Sequence, residues 1–186
     1  MSTSRSILHS LVVIFFLAPL AYVQVVEAAP IGKVTKVQKQ AQVGSRAATV
    51  GTPVNLNDRL RTGPGARLQI TFVDGTLFTL GENASVVIDR YVFNPAASRG
   101  EMAVSSATGA LRFTTGKIHD MRNKDVTVST PYAALAVRGT DFWLGPIDGH
   151  YGALLLKGKV DVRNRGGTSR LRKPGYGVDI YSRRKR

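Results

Sequence analysis

Few residues in this chain could do covalent chemistry. It has no cysteine and only three histidines, His9, His119 and His150. Thiolate nucleophiles and cysteine metal sites are therefore excluded. His119 and His150 fall in different loop-like segments, with no carboxylate at metal-ligand spacing beside them. Carboxylates number twelve. Asp58, Asp74, Asp120 and Asp148 lie in turn-forming stretches, where aspartate caps backbone amides. No nucleophile elbow, phosphate loop, dinucleotide fingerprint or zinc-protease signature occurs. The expectation is a non-enzymatic protein with no catalytic residue, no metal and no cofactor. A polysaccharide-acting enzyme is the dissenting reading. It would need two carboxylates facing each other across a groove, roughly 5–9.5 Å apart.

Two clusters remain as candidate structural or partner-binding residues. The first runs from Arg61 through Gly63, Gly65 and Arg67 to Asp74 and Gly75; the second is Arg138-Gly139-Thr140-Asp141-Phe142-Trp143. In each, a basic residue and small turn residues meet an apolar strand. As a ligand surface, the second cluster would present Arg138 and Asp141 as charges. As structure, it would be an internal ion pair or capped turn, with Gly139 at positive φ and with Phe142 and Trp143 filling the core. The residue types favour structure, because no nucleophile or ligand set accompanies either cluster.

The elements that must position these residues are strands. Arg67 to Val73 alternates cleanly, with Leu68, Ile70 and Phe72 on one face, and Asp74-Gly75 then suits a tight hairpin turn. Thr76 to Leu80 reads as the returning strand, and Ser85 to Tyr91 as a third. Similar segments run over 31–43, 54–61, 101–106, 110–115, 126–130, 133–137, 142–144, 152–156, 159–163 and 176–181. Thr62-Gly63-Pro64-Gly65 and the glycines at 75, 81, 109, 116, 139, 145, 158 and 175 read as punctuation. Ala103 to Leu111 is the best helix candidate, and a poor one. The fold class is all-β: a β-solenoid-like stack or an irregular β-sandwich of many short strands, following an N-terminal signal helix.

Arg5, the apolar run Ile7 to Val26 and the small-residue end Val26-Glu27-Ala28 have the three-part order of an export signal, cut after Ala28. Pro19 within the run argues against a retained anchor. The mature chain is then about 158 residues with no later membrane span, working in the periplasm or secreted. Residues 29–50 form an N-terminal β segment, 51–165 the main β domain, and 166–186 a last β segment with a basic tail. The formal net charge is +14, and nine Lys/Arg stand against Asp179 alone from Arg163 to Arg186. That end would attract an anionic surface. Nucleic acid is not an expected partner, because no aromatic series interleaves the cations.

Arg61-Thr62-Gly63-Pro64-Gly65-Ala66-Arg67, Phe72-Val73-Asp74-Gly75-Thr76, Leu80-Gly81-Glu82-Asn83-Ala84, Thr130-Pro131 and Val137-Arg138-Gly139-Thr140-Asp141-Phe142 follow one another in order. This series, over roughly 51–162, resembles the FecR domain family. The resemblance implies an extracytoplasmic, solenoid-like β domain with no catalytic residues. The family's namesake is a membrane-spanning regulator of ferric-citrate uptake, which relays a signal from an outer-membrane transporter to a sigma factor. Here only Met1 to Ser6 precede the apolar stretch, so the expectation is a stand-alone exported form. It would be a non-catalytic binding or scaffold domain contacting an envelope protein or glycan. The alternative is an accessory component of transmembrane signalling in iron-uptake regulation.

Overall fold

The alternating segments become fifteen strands in the structure, a computed structural model that describes residues 28–147 and 149–180. In chain order they are β1 (Gly32–Gln38), β2 (Ala41–Val43), β3 (Arg46–Ala47), β4 (Pro53–Val54), β5 (Arg59–Thr62), β6 (Arg67–Phe72), β7 (Leu77–Leu80) and β8 (Ser85–Asn94). Then follow β9 (Arg99–Thr108), β10 (Leu111–Thr114), β11 (Asn123–Ser129), β12 (Ala134–Ile147), β13 (His150–Asn164), β14 (Gly167–Leu171) and β15 (Gly177–Asp179). A single 3-10 turn, Lys117–Asp120, interrupts them. Residues 1–27, which hold most of the expected export signal, and the basic end 183–186 lie outside the described residues. No helix among the described residues is long and apolar enough to cross a membrane.

The strands form one curled sheet in the order β3-β2-β5-β8-β9-β11-β12-β10-β7-β6-β1-β4, with β13 along the other edge of β12. Pairing is antiparallel except between β9 and β11. The β12–β13 hairpin organises the curl. The first part of β12 pairs with β11 and its last part with β10, while β13 follows it throughout. The register slips between Arg138 and Asp141. There Gly158 packs so closely on the Gly139 carbonyl that a Cβ on Gly158 would overlap it. The bulge bends the hairpin and carries it from one half of the sheet to the other.

This corrects two expectations. Segments 133–137 and 142–144 are one strand, as are 152–156 and 159–163, because Gly139 and Gly158 are bulge positions inside strands rather than breaks between them. The weak helix over Ala103 to Leu111 is instead the end of β9 and the start of β10. Its small residues had no 3.6-residue apolar stripe to bury, and pairing with β8 decides its state.

Both halves turn their apolar faces inward onto one core. Leu60, Ile88, Met102 and Val128 come from one half, and Leu68, Phe78, Phe113 and Phe142 from the other. Phe78, Phe113 and Phe142 sit directly opposite one another on β7, β10 and β12. Their ring centroids are 4.8 and 5.3 Å apart, and Phe72 joins at 4.8 Å from Phe78. Tyr91, on β8 in the facing half, stacks on Phe72 at 5.6 Å and so ties the halves together. Truncating a ring such as Phe113 to alanine would cost about 3–5 kcal/mol. The N-terminal segment is woven in, since β1 pairs with β6 and β2 with β5.

Candidate functional site

The two sequence clusters build two corners that share a connecting strap. At the β6–β7 corner, Gly75 N donates to Phe72 O and Phe72 N to Thr76 O, each at 2.9 Å. Gly75 has φ +84°. This is a three-residue hairpin loop, a turn followed by a left-handed glycine, rather than the tight two-residue turn expected from Asp74-Gly75. Asp74 is only 1% exposed. Its Oδ1 accepts from Tyr91 Oη (2.9 Å) and Thr76 N (3.2 Å), and its Oδ2 accepts from Thr76 Oγ1 (2.6 Å) and Ile118 N (3.3 Å). Asp74 N donates back to Tyr91 Oη at 3.0 Å. Burial, with the Asp74 charge second, pushes the Tyr91 phenol well above its ordinary range.

At the β12 bulge the buried polar residue is Thr140, 3% exposed. Its Oγ1 donates to Lys159 O at 2.8 Å and accepts from Arg138 N at 3.2 Å. Thr115, the residue after β10, clamps it: Thr140 N donates to Thr115 Oγ1 at 3.1 Å, and Thr115 N donates to Thr140 O at 2.9 Å. The next two residues reach the other corner. Gly116 N donates to Thr76 Oγ1 at 2.9 Å, and Lys117 N to Asp74 O at 2.8 Å. Gly116 lies directly on the backbone of Asp74, Gly75 and Thr76, with no room for a Cβ. Thr115, Gly116 and Tyr91 complete the machinery. Sequence reading missed them as a group because the bonds of Tyr91 and Gly116 to the first corner span 17 and 40 residues.

Asp141 leaves the interior. It takes two hydrogen bonds from Arg112, Nε to Oδ1 at 3.0 Å and Nη2 to Oδ2 at 2.7 Å. Those bonds, then the Asp141 charge, raise the Arg112 pKa above its ordinary value and fix the fork in place. The ion pair at this cluster is thus Asp141 with Arg112 from β10, not with Arg138. Trp143 is also a correction: Phe142 is fully buried, but Trp143 is half-buried on the outward side. Adjacent residues of a strand face opposite ways, so the two cannot both fill the core.

Arg112 and Trp143 stand directly opposite each other in a row that crosses the outward face as Lys36, Gln69, Thr79, Arg112, Trp143 and Leu154. Beside this row the surface sinks into a trough of about 830 Å³, walled by Trp143, Arg112, Arg67, Glu82, Gln38 and Pro146. Its floor is made of small residues, Gly81 and Ala110 among them, and Gly81 abuts the Ala110 methyl too closely to carry a Cβ. A second hollow of about 580 Å³ adjoins it at Arg67 and Thr79 and reaches Lys36 and Val50.

The other sequence-selected residues scatter. Gly65 rims the trough, where its N donates to Glu82 Oε2 at 2.8 Å. Exposed Arg67 lines both hollows. Arg61 and Gly63 line a separate shallow hollow with Gln40. Exposed Arg138 lies in a notch between β11 and β12 with Arg122, Lys124 and Asp125. Arg112, missed in the sequence, carried a usable signal: in Leu111-Arg112-Phe113 its parity is outward, as is that of Trp143.

Carboxylates near the trough are committed: Glu82 to Gly65 N, and Asp141 to Arg112. His119 packs its ring over Gly139, with Nε2 3.0 Å from Asp120. Among the described residues no group of three or more potential metal ligands is assembled.

The fold and this face define a curled β domain that presents a trough with Trp143 at one end of it. The FecR protein family matches residues 58–161, and the chain belongs to that family. Two crystal structures of a Parabacteroides distasonis ATCC 8503 protein described as an anti-sigma factor, at 1.65 and 2.50 Å resolution, share the fold. Each has 22% sequence identity and a TM-score of 0.51, over 65% of this chain and 53% of the other. The chain thus spans about half the length of these solved relatives. No curated protein matches it.

Proposed function

We propose that this protein is a non-catalytic FecR-type binding module that works outside the cytoplasm and contacts an envelope protein or glycan through the outward face around Trp143. The observation that carries this reading is the exposure of Trp143 beside Arg112, above a trough on a sheet whose other face is core. A large aromatic costs free energy when part of it is left in water, and such residues concentrate where partners bind. The export-type N-terminus supports the location. Capture from an envelope fraction with the mature protein tests the reading. It expects a specific component retained by the wild type and lost with Trp143→Ala. Identical captures by both proteins, or a measured turnover, would overturn it.

Family membership favours a second reading, an accessory role in transmembrane signalling for iron-uptake regulation. It is supported by the FecR match and by the anti-sigma description of the solved relatives. Deleting the gene should then change sigma-factor-dependent transcripts under iron limitation. Unchanged transcripts would remove this reading and leave the binding module intact.

A further inference from the structure

The trough lies at one end of inner strands of the sheet, which restricts what it can hold. The strands beneath it, β6, β7, β10 and β12, have sheet neighbours on both sides. Their main chains are therefore engaged in the ladder, and an extended peptide could not add itself as a further strand there. What remains to a ligand is side chains: the indole of Trp143, the guanidinium groups of Arg112 and Arg67, the Glu82 carboxylate, the Gln38 amide and the Thr79 hydroxyl. An aromatic plane beside many polar groups suits a molecule with apolar C–H faces and a rim of hydroxyls.

Charge narrows the class further. Arg67 and Lys36 have no ion-pair partner among the described residues. Lys39 holds its Nζ over Gly65 at the trough rim, 2.6 Å from where a Cβ would sit. Against these three cations stands the one charge of Glu82, which its hydrogen bond from Gly65 N leaves in place, while Asp141 is paired with Arg112. The β1–β6 end of the trough is therefore a cationic end, and Trp143 stands at the other. Three strand spacings separate β6 from β12, about 14 Å, so the two anchors are too far apart for one sugar ring to touch both.

We propose that the trough binds an acidic oligosaccharide, one sugar face stacked on Trp143 and a carboxylate of a neighbouring unit paired with Arg67. This rests on the binding reading above and names its ligand class. Trp143 is the chain's only tryptophan, so its emission reports the site directly. The test is a fluorescence titration of the protein with trigalacturonate, maltotriose and hexaglutamate. Trigalacturonate should shift Trp143 emission saturably, bind at least about tenfold tighter than maltotriose, and weaken with added salt. Arg67→Ala should remove that preference while the protein keeps the wild-type circular dichroism spectrum. Trp143→Phe, followed by calorimetry, should retain weakened binding, and Trp143→Ala should lose it. Equal affinity for the neutral and acidic sugars would overturn the charge assignment, and so the proposal. Tighter binding of hexaglutamate would assign the trough to acidic protein instead. A flat titration with all three probes, alongside Trp143-dependent envelope capture, would sink the ligand class but spare the binding reading. Failure of both would sink both.

Discussion

The two corners use the same three residue types in different order, Asp74-Gly75-Thr76 and Gly139-Thr140-Asp141, and place them oppositely. At the first corner the carboxylate is buried, taking hydrogen bonds from a phenol, a hydroxyl and two backbone amides. At the second the threonine is buried, and the carboxylate faces outward to Arg112 beside Trp143. The pleat makes this difference: Thr140 points into the bulge, and Asp141 shares its side with Trp143. The first corner therefore reads as architecture, whereas the second fastens the sheet from within and fixes a binding side chain from without. Composition alone does not separate a structural aspartate from one that supports a site.

The largest expected effect comes from breaking the buried corner. Asp74→Ala strands four donors and should lower unfolding free energy by about 4 kcal/mol or more in urea titration. A loss below about 1 kcal/mol would show that the corner is as dispensable as the outer face. Gly116→Ala, which forces a methyl into the Asp74–Thr76 backbone, should cost about 3 kcal/mol. It should also loosen both corners together, read as parallel loss of amide protection at Thr76 and Thr140. Thr140→Val keeps the shape but removes the hydroxyl's bonds to Lys159 O and Arg138 N, and should cost about 2 kcal/mol.

Alkaline pH sharpens the comparison more gently. Tyr91 and Tyr151 both have raised folded pKa values, Tyr151 being pushed up to about 12 by burial first and by Tyr132 second. A raised folded value means that the native state holds the phenolic proton more tightly than the unfolded chain. Their stabilisation is thus complete below the unfolded value of about 10 and is lost as pH rises through the folded values. Unfolding midpoints should fall between about pH 10 and pH 12. Tyr91→Phe should flatten part of that slope. The smallest expected stability effect is at the outer face: Trp143→Ala should change unfolding free energy by less than about 1 kcal/mol, while partner capture disappears.

Much of the fold was legible because one face of nearly every strand is buried. The period-2 pattern of Leu68, Ile70 and Phe72 reappears as alternating buried and half-exposed positions on β6. Bulges were not legible. Gly139 and Gly158 look like strand breaks in a linear chain, and only their mutual contact shows them to be the bend of one long hairpin. The site was half legible. Alternation from Phe142 places Trp143 outward, but its partner Arg112 lies 29 residues before Asp141 and becomes a neighbour only through the β10–β12 pairing. Asp74 was recognisable as a turn residue. Its burial depends on Tyr91 and on the 3-10 turn, which local sequence does not announce.

The claim that the outward face around Trp143 is where this protein meets its partner can be tested by photo-crosslinking from the outward face of each half of the sheet. One variant carries a photoreactive residue at Thr79, beside Arg112 in the row across the trough face; the other carries it at Ala136, exposed on the outward face of the other half. In envelope preparations, the Thr79 variant should form a discrete adduct that Trp143→Ala abolishes, and the Ala136 variant should form none. Adducts from Ala136 with none from Thr79 would contradict the account and place the binding surface on the opposite half.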